Sequence, residues 1–226
     1  MRINNGILET VAIGLGDMLP QFVFVGGTVV GLYAPPSIWT EVRFTDDVDC
    51  VVEVASLARY YDLEEKLRFI GFYDDMDEDA PICRKLYQGI KVDIMPTDES
   101  ILTFSNRWYK EGFSYAQDYI ISDNLTIKIL PVAYFIASKL EAFFSPYRQY
   151  TLDMLVSHDF EDIIYVLDNC PEVVTQIKKS NISVSTYISD KFKHLRQQEP
   201  LIYALIGILQ DEESAKRVLD IIDNII

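Results

Sequence analysis

The stretch Arg43-Phe44-Thr45-Asp46-Asp47-Val48-Asp49-Cys50-Val51-Val52 carries closely spaced carboxyl groups into an apolar run typical of a β-strand. Alternate side chains of a strand share a face, so Asp47 and Asp49 face one way while Val48 faces the other. By the same parity Asp46 points away from the pair. Residues two apart have Cα atoms about 6.6 Å apart, a span from which two carboxylates reach metal ions about 3.5–4 Å apart. A solvated acidic strand edge is the alternative, and repulsion between like charges disfavours it.

A third carboxyl group stands in a later apolar strand, Ile90-Lys91-Val92-Asp93-Ile94-Met95, which Gly89 and Pro96 bound. An unpaired charge among apolar neighbours costs several kcal/mol, about 3–5 where it is buried, so Asp93 needs a partner. A metal ion shared with Asp47 and Asp49 supplies that partner if the two strands are neighbours. The alternative is an exposed position on an edge strand.

A diglycine turn precedes the acidic strand. Gly26 and Gly27 follow the β-forming run Phe22-Val23-Phe24-Val25 and lead through Thr28 into a short predicted helix. Glycine leaves the backbone amides unhindered where a helix N-terminus favours an anion, so the turn suits a phosphate group. A plain tight turn explains a lone diglycine equally well.

The composition limits the classes of function. The formal net charge is −15, which argues against binding of nucleic acid through a broad basic surface. In a protein this acidic, clustered carboxylates repel one another unless cations such as metal ions neutralise them. The three cysteines lack C-x-x-C spacing and are interpreted as small buried side chains in a reducing compartment. The N-terminus has no long apolar stretch of the kind found in signal peptides, and no window approaches the about 18 uninterrupted apolar residues of a membrane span, so a cytoplasmic protein without membrane association is expected.

Periodicity and turn signals predict an α+β protein, with a mixed β-sheet flanked by helices in residues 1–130 and a helical bundle in residues 131–226. The predicted elements of the first domain are helices at Ile3–Met18, Thr28–Tyr33 and Ala55–Ile70, strands at Phe22–Val25, Val48–Val54 and Ile90–Met95, and a hairpin around Asp123-Asn124. The predicted helices of the second domain are Val132–Phe144, Phe160–Asn169, Val173–Lys179, Val184–His194, Pro200–Leu209 and Glu212–Ile225.

Taken together, the diglycine, the Asp-x-Asp strand and the later strand Asp resemble the DNA polymerase β-type nucleotidyltransferase superfamily. The spacing Arg43-x-Thr45-x-Asp47-x-Asp49 is similar to that of the AbiEii/AbiGii toxin nucleotidyltransferases, also called MenT-like. Further matching segments are Ser138-Lys139-Leu140-Glu141-Ala142-Phe143, then Arg148, then His158-Asp159-Phe160-Glu161-Asp162-Ile163. The chain departs from the family in having Gly27 where Ser is frequent and His158 where Lys or Arg is usual.

The resemblance implies that the first domain is a nucleotidyltransferase domain and that Asp47, Asp49 and Asp93 bind two Mg²⁺ ions, or Mn²⁺ instead. One ion would hold a nucleoside triphosphate, and the other would activate an acceptor hydroxyl that attacks the α-phosphorus. The other residues implied in nucleotide binding are Gly26, Gly27, Thr28, Arg43, Thr45, Lys139 and Asp159. Asp159 would orient Lys139 or the nucleotide, whereas Asp162 is either part of that group or a structural partner.

The resemblance also implies a toxin that acts on tRNA or protein and is held in check by an antitoxin. The sequence leaves two alternatives: an aminoglycoside-type antibiotic nucleotidyltransferase, whose cationic substrate would suit an acidic surface, and a catalytically inactive binding module of the same fold. The basic run Lys191-Phe192-Lys193-His194-Leu195-Arg196 is either a solvated helix face or a contact for RNA.

Overall fold

The computed structural model describes residues 3–35, 43–146 and 154–226. The contacts group the chain into two compact units, one of Met1–Val29 and Arg43–Pro131 and one of Val30–Val42 and Val132–Ile226. The first unit contains the sheet, and the second consists of helices in its described part. The division into domains at residue 130 remains a prediction, because grouped contacts do not establish that either part folds alone.

Seven strands of the described chain form one mixed sheet in the order β3-β4-β5-β2-β1-β7-β6. The strands are β1 (Phe22–Val25), β2 (Asp47–Val52), β3 (Tyr73–Asp74), β4 (Arg84–Tyr87), β5 (Ile90–Pro96), β6 (Gln117–Ser122) and β7 (Leu125–Ile129). All four residues of β1 are buried, as expected for a central strand of aromatic and β-branched residues. The predicted hairpin around Asp123-Asn124 is confirmed as β6 and β7.

The centre of the sheet combines both strand directions. Strand β2 pairs antiparallel with β1 and parallel with β5. Parallel neighbours need a crossover connection, and helix α2 (Leu57–Phe69) lies in the segment between them. Ser56 begins this helix by accepting a hydrogen bond from the Arg59 backbone amide. The expected neighbourhood of the two acidic strands is thereby confirmed.

Helix α1 (Ile3–Leu15) contacts the sheet with a stripe of buried side chains at helical spacing, which comprises Leu8, Val11, Ala12 and Leu15. The predicted continuation to Met18 is instead a 3₁₀ helix, Gly16–Gln21. The α-helix ends there because Gly16 adopts a positive φ of 52°, and Pro20 lacks the amide hydrogen that further helix would need. Two short helices missed by the sequence analysis, α3 (Glu99–Leu102) and α4 (Tyr109–Ser114), complete the described helices of this unit.

A buried cation fastens α2 to strands β3 and β4. The Lys85 ammonium group donates hydrogen bonds to the carboxylates of Glu64 and Asp74, and the lysine side chain is almost fully buried. Lys85 stands opposite Val92 in the sheet register, so it occupies the face opposite to that of Arg84. The ion cluster therefore fixes β4 from one face and leaves its other face to a different charged side chain.

Six helices occupy the described part of the second unit from residue 132 onward. They are α5 (Val132–Phe143), α6 (His158–Asn169), α7 (Val173–Lys179), α8 (Ile182–Arg196), α9 (Pro200–Leu209) and α10 (Glu212–Ile225). Helix α5 is the central one, since most of its side chains are buried and it contacts α6, α7 and α8. The predicted α+β class, with a helical C-terminal part, is confirmed. None of the helices described has both the length and the apolar character needed to span a membrane.

Candidate functional site

The register of β2 and β5 brings the predicted carboxylates to one face of the sheet. Asp49 stands directly opposite Asp93, and Asp47 stands opposite Lys91. Paired residues of neighbouring parallel strands present their side chains on the same face, so Asp47, Asp49 and Asp93 share it. Val48, between the two β2 acids, is fully buried. Asp46 precedes the strand and is exposed.

The diglycine turn lies directly against this carboxylate face. Gly26 has a φ of +72°, and a Cβ atom placed on it would lie 1.8 Å from Asp49 Oδ2. A Cβ atom on Gly27 would lie 2.7 Å from Thr45 Cγ2 and 2.9 Å from an Arg43 guanidinium nitrogen. Both positions therefore exclude any larger residue, and the structure brings Gly26, Gly27, Arg43, Thr45 and Asp49 together. The backbone continues as a 3₁₀ helix, Gly27–Tyr33, where a helix was predicted.

Two buried hydroxyl groups flank the turn. Thr28 Oγ1 and Thr45 Oγ1 are buried and have no hydrogen-bond partner among the described residues. A buried hydroxyl without a partner costs about 1–3 kcal/mol, so each is a candidate to donate to or accept from a bound group. Their positions beside Gly27 fit the predicted nucleotide-binding role of both threonines.

Replacing Gly26 by Ala is expected to destabilise the protein by about 2 kcal/mol or more, because it combines a disfavoured positive φ with a collision against Asp49. Gly16→Ala is the matched control. Gly16 also has a positive φ of 52°, but no atom lies within 4 Å of the added Cβ, so only the conformational cost of about 1–2 kcal/mol applies. Urea denaturation of both variants measures the difference. Equal losses would contradict a close approach of Gly26 to the carboxylate.

The cationic partner of Asp93 in the structure is Arg84, a residue that the sequence analysis missed. Arg84 Nε donates to Asp93 Oδ1 at 2.7 Å and Nη2 donates to Asp93 Oδ2 at 2.8 Å. The same Nη2 lies 3.8 Å from Asp47 Oδ2. The hydrogen bonds to Asp93 raise the pKa of Arg84 further above its usual value, so the guanidinium keeps its charge. Asp93 therefore meets a guanidinium where the sequence analysis expected a metal ion.

A turn signal ahead of β5 could have revealed this arginine. Gln88 and Gly89 are the two residues between β4 and β5, and their φ angles are 50° and 80°. Positive φ at both central positions is typical of the two-residue turns that join hairpin strands. The residues before Gln88 therefore form an antiparallel strand with β5. Recognising Gly89 as part of a hairpin would have placed Arg84 opposite Asp93, which is its partner in the register.

The three aspartates fit a divalent cation by donor chemistry and backbone position. Carboxylate oxygens are the ligands that Mg²⁺ prefers, and the strand register sets the three groups on one face. The side-chain positions do not form such a site, because no three acidic, histidine or cysteine side chains of the described residues are grouped closely enough to hold a metal ion. The Arg84 guanidinium contacts two of the three carboxylates. A metal ion at Asp93 would therefore require that contact to change.

The helical unit contains the other predicted binding residues, Lys139 and Asp159. The ammonium of Lys139, on α5, lies 3.0 Å from Asp159 Oδ1 and 2.7 Å from Asp162 Oδ2, both on α6. Burial alone would lower the pKa of Lys139, but Asp162 and Asp159 together outweigh it and raise the pKa. Both aspartates are buried, so Asp162, whose role the sequence left open, is a direct partner of the lysine. Arg148 lies outside the described residues.

The cations of the basic run on α8 interact with groups of the helical unit itself. Lys193 lies 3.3 Å from Asp190, and Arg196 Nε lies 2.8 Å from Asp223. Lys191 lies over the ring of Phe144, 4.3 Å from its centroid. These contacts favour the interpretation of a solvated helix face over that of an RNA contact.

The cysteines near the carboxylates have the properties of inert core residues. Cys50 and Cys83 are buried and free of disulfides. Burial is the main cause that raises the pKa of the Cys83 thiol to about 12, with Asp93 adding to it. Burial likewise raises the pKa of Cys50. Raised pKa values and burial together argue against either thiol as a thiolate nucleophile at neutral pH.

Comparison with known proteins gives a family match and a similar fold. A family model described as "Nucleotidyl transferase AbiEii toxin, Type IV TA system" matches residues 11–218. A solved structure, an antigenic nucleotidyltransferase-like protein from Paracoccidioides brasiliensis, is similar to this chain with a TM-score of 0.52 and 15% sequence identity, over 91% of this chain and 93% of that one. No curated protein sequence shows a significant match. The structural similarity concerns the fold, whereas the family match covers most of the sequence.

Proposed function

Because the chain belongs to the AbiEii family of nucleotidyltransferase toxins, we propose that it transfers a nucleoside monophosphate from a nucleoside triphosphate to an acceptor hydroxyl in a reaction that depends on divalent metal ions. The oxygen of the acceptor hydroxyl attacks the α-phosphorus and loses its proton to solvent, a phosphodiester bond forms, and the bond from the α-phosphorus to the bridging oxygen breaks, so that pyrophosphate leaves. The proposal places this reaction in the cytoplasm, where nucleoside triphosphates are available.

The observation that best supports this proposal is the pairing of Asp49 with Asp93 beside the Gly26 turn. Two carboxylates on adjacent strands, with a third two residues away, suit divalent cations, while a turn that excludes side chains leaves room for a phosphate chain. When bound, Mg²⁺ or Mn²⁺ would neutralise charge on the triphosphate and lower the pKa of the acceptor hydroxyl. Asp47, Asp49 and Asp93 are the proposed ligands.

The remaining residues would bind and orient the triphosphate. The hydroxyls of Thr28 and Thr45 are buried beside the diglycine and available for hydrogen bonds to phosphate oxygens. The Arg43 guanidinium, which lies close to Gly27, would add positive charge. Lys139 and Asp159 keep the role in nucleotide binding that the family resemblance implies, and in the helical unit Asp159 and Asp162 hold the Lys139 ammonium group.

We propose further that the acceptor is tRNA or a protein, and that an antitoxin controls the activity. The toxin–antitoxin part of this proposal is supported by the family description. Because the net charge of the protein is −15, we expect the acceptor to bind through a few local contacts and not through a broad basic surface of the protein. An aminoglycoside would also suit an acidic protein, so it belongs among the acceptors to be tested.

Transfer of radioactivity from each α-labelled nucleoside triphosphate, in the presence of Mg²⁺, tests the proposal. Total tRNA, lysate protein and aminoglycosides are offered in parallel, with Asp47→Ala as the inactive control. We expect label on tRNA or protein with one preferred nucleotide and none with the control. Label on the antibiotic alone would replace the toxin proposal with the antibiotic-modifying one. If no acceptor is labelled and no metal-dependent triphosphate binding is measured, the chain is a binding module.

A further inference from the structure

A cationic side chain lies at the same register position as two of the acidic residues, across three adjacent strands of the sheet. Arg84 on β4 stands opposite Asp93 on β5, and Asp93 stands opposite Asp49 on β2. Cross-strand partners share a face, so the backbone register itself directs this guanidinium toward the carboxylates. On the other face, the neighbouring Lys85 is held by the buried carboxylate of Glu64 and the partly exposed carboxylate of Asp74, which fixes the position of β4.

The guanidinium engages both oxygens of the Asp93 carboxylate. Its two hydrogen bonds, of 2.7 and 2.8 Å, form a bidentate pair, the strongest common arrangement between these groups. Only 18% of the Arg84 side chain and 12% of the Asp93 side chain are exposed, so solvent screens the pair weakly. The interaction is therefore much stronger than that of an exposed salt bridge.

We propose that Arg84 is a competing counter-cation, which must leave Asp93 before a divalent ion binds there. The inference rests on the proposed function, because it takes Asp93 as a metal ligand. A guanidinium that hydrogen-bonds to both carboxylate oxygens occupies the side from which an ion would bind both of them, and a divalent ion in contact with Asp93 would repel the guanidinium. Arg84 thus neutralises the charge of the Asp93 carboxylate and lowers the affinity of the three aspartates for a metal ion.

Binding of Mn²⁺ to the full chain without nucleotide tests this competition directly. Calorimetry, or electron paramagnetic resonance of the free ion, gives the Kd for wild type and for Arg84→Gln. We expect the variant to bind Mn²⁺ at least about tenfold more tightly, since a bidentate charged pair no longer has to be broken. In the absence of metal we expect a lower Tm for the variant, because Asp93 loses its partner, and Mn²⁺ should raise this Tm more than it raises that of wild type.

Arg59→Gln is the matched control. It removes the same charge from an exposed pair with Asp62, whose side chains are 73% and 55% exposed, so Mn²⁺ affinity should stay close to that of wild type. Arg84→Lys is the second variant, for the case that Arg84→Gln does not fold. Lysine keeps the charge but lacks the planar fork, so an affinity between those of wild type and Arg84→Gln is expected.

Two kinds of failure are distinguishable. If wild type binds Mn²⁺ and folded Arg84→Gln or Arg84→Lys binds it equally or more weakly, the competition is wrong and Arg84 instead positions the ligands. If wild type, the Arg84 variants and Asp49→Asn all fail to bind Mn²⁺, the metal site itself is absent, and both the inference and the proposed metal dependence are overturned.

Discussion

Asp49→Asn is expected to lower the rate of nucleotidyl transfer by about 10³-fold or more, since it removes a negative charge at the position that would hold metal ions against the triphosphate. Asparagine has nearly the same shape as aspartate and keeps one acceptor oxygen, so the turn at Gly26 retains its packing. Transfer from the α-labelled triphosphate to the preferred acceptor gives the rate, and urea denaturation gives the stability, which should change by no more than about 1 kcal/mol.

Asp46→Asn is the control for this prediction. It removes the same charge three residues earlier in the chain, from an exposed residue that precedes β2. Its transfer rate should remain within about threefold of wild type, because charge alone at the surface has a small, screened effect. Similar losses of transfer rate in the two variants would show that the rate depends on the overall negative charge of the protein and not on the Asp49 carboxylate. Full activity of a folded Asp49→Asn would remove this carboxylate from the chemistry.

Lys139→Met is expected to destabilise the protein by about 3–5 kcal/mol, which is the usual cost when one partner of a buried ion pair is removed. Methionine fills most of the space of the lysine side chain, so the loss measures charge and not a cavity. The uncompensated groups are Asp159 and Asp162, which are both buried. Chemical denaturation measured at neutral pH gives the free energy of unfolding.

The pKa of Lys139 decides the pH at which this prediction is tested. Burial lowers this pKa, but the neighbouring Asp162 and Asp159 raise it by more. A lysine whose folded pKa is raised contributes its full stabilisation below its unfolded pKa of about 10.4. The contribution is lost only as the pH rises through the still higher folded value. Between pH 7 and 9 the wild-type lysine therefore stays charged, and its contribution to stability should not vary.

Lys193→Met provides the comparison within the same unit. Lys193 pairs with Asp190 on the surface of α8, and its removal should cost less than about 1 kcal/mol. Combining Lys139→Met with Asp159→Asn and Asp162→Leu should recover most of the lost stability, because no buried charge is then left unpaired. A small loss in Lys139→Met itself, similar to that of Lys193→Met, would show that the buried pair adds little to stability.

Local patterns were enough to locate most of the secondary structure. Helices α7, α9 and α10 have the predicted bounds; α9 begins at Pro200, and α10 begins after Asp211, which accepts a hydrogen bond from the Ser214 backbone amide. Strand β3, with two residues, and helix α3, with four, were missed because such short segments carry no period to detect. Strand β4 was missed for a different reason, since its mixture of charged and apolar residues resembles a polar loop.

The residues of the candidate site likewise divide into those that local patterns identified and those that only the tertiary structure identified. Parity within one strand separated Asp47 and Asp49 from Asp46, because alternation of side chains is a local property of extended backbone. The sequence also indicated that Asp93 must have a partner, but not which one. The choice of Arg84 depended on β4 lying beside β5, and that of Asp162 for Lys139 on the packing of α6 against α5.

By itself, then, the sequence determined the α+β class and the three strand aspartates, which follow from short-range spacing, and it indicated the family through its resemblance to known motifs. Only the tertiary structure decided which charges meet. The parallel pairing of β2 with β5 and the packing of α6 against α5 bring together residues far apart in the chain, and their energy is shared among many contacts that no short motif contains. Asp47 and Asp49 are thus readable from residues 43–52 and Asp93 from residues 90–95, whereas the position of Asp93 beside Asp49, and of Asp162 beside Lys139, is not.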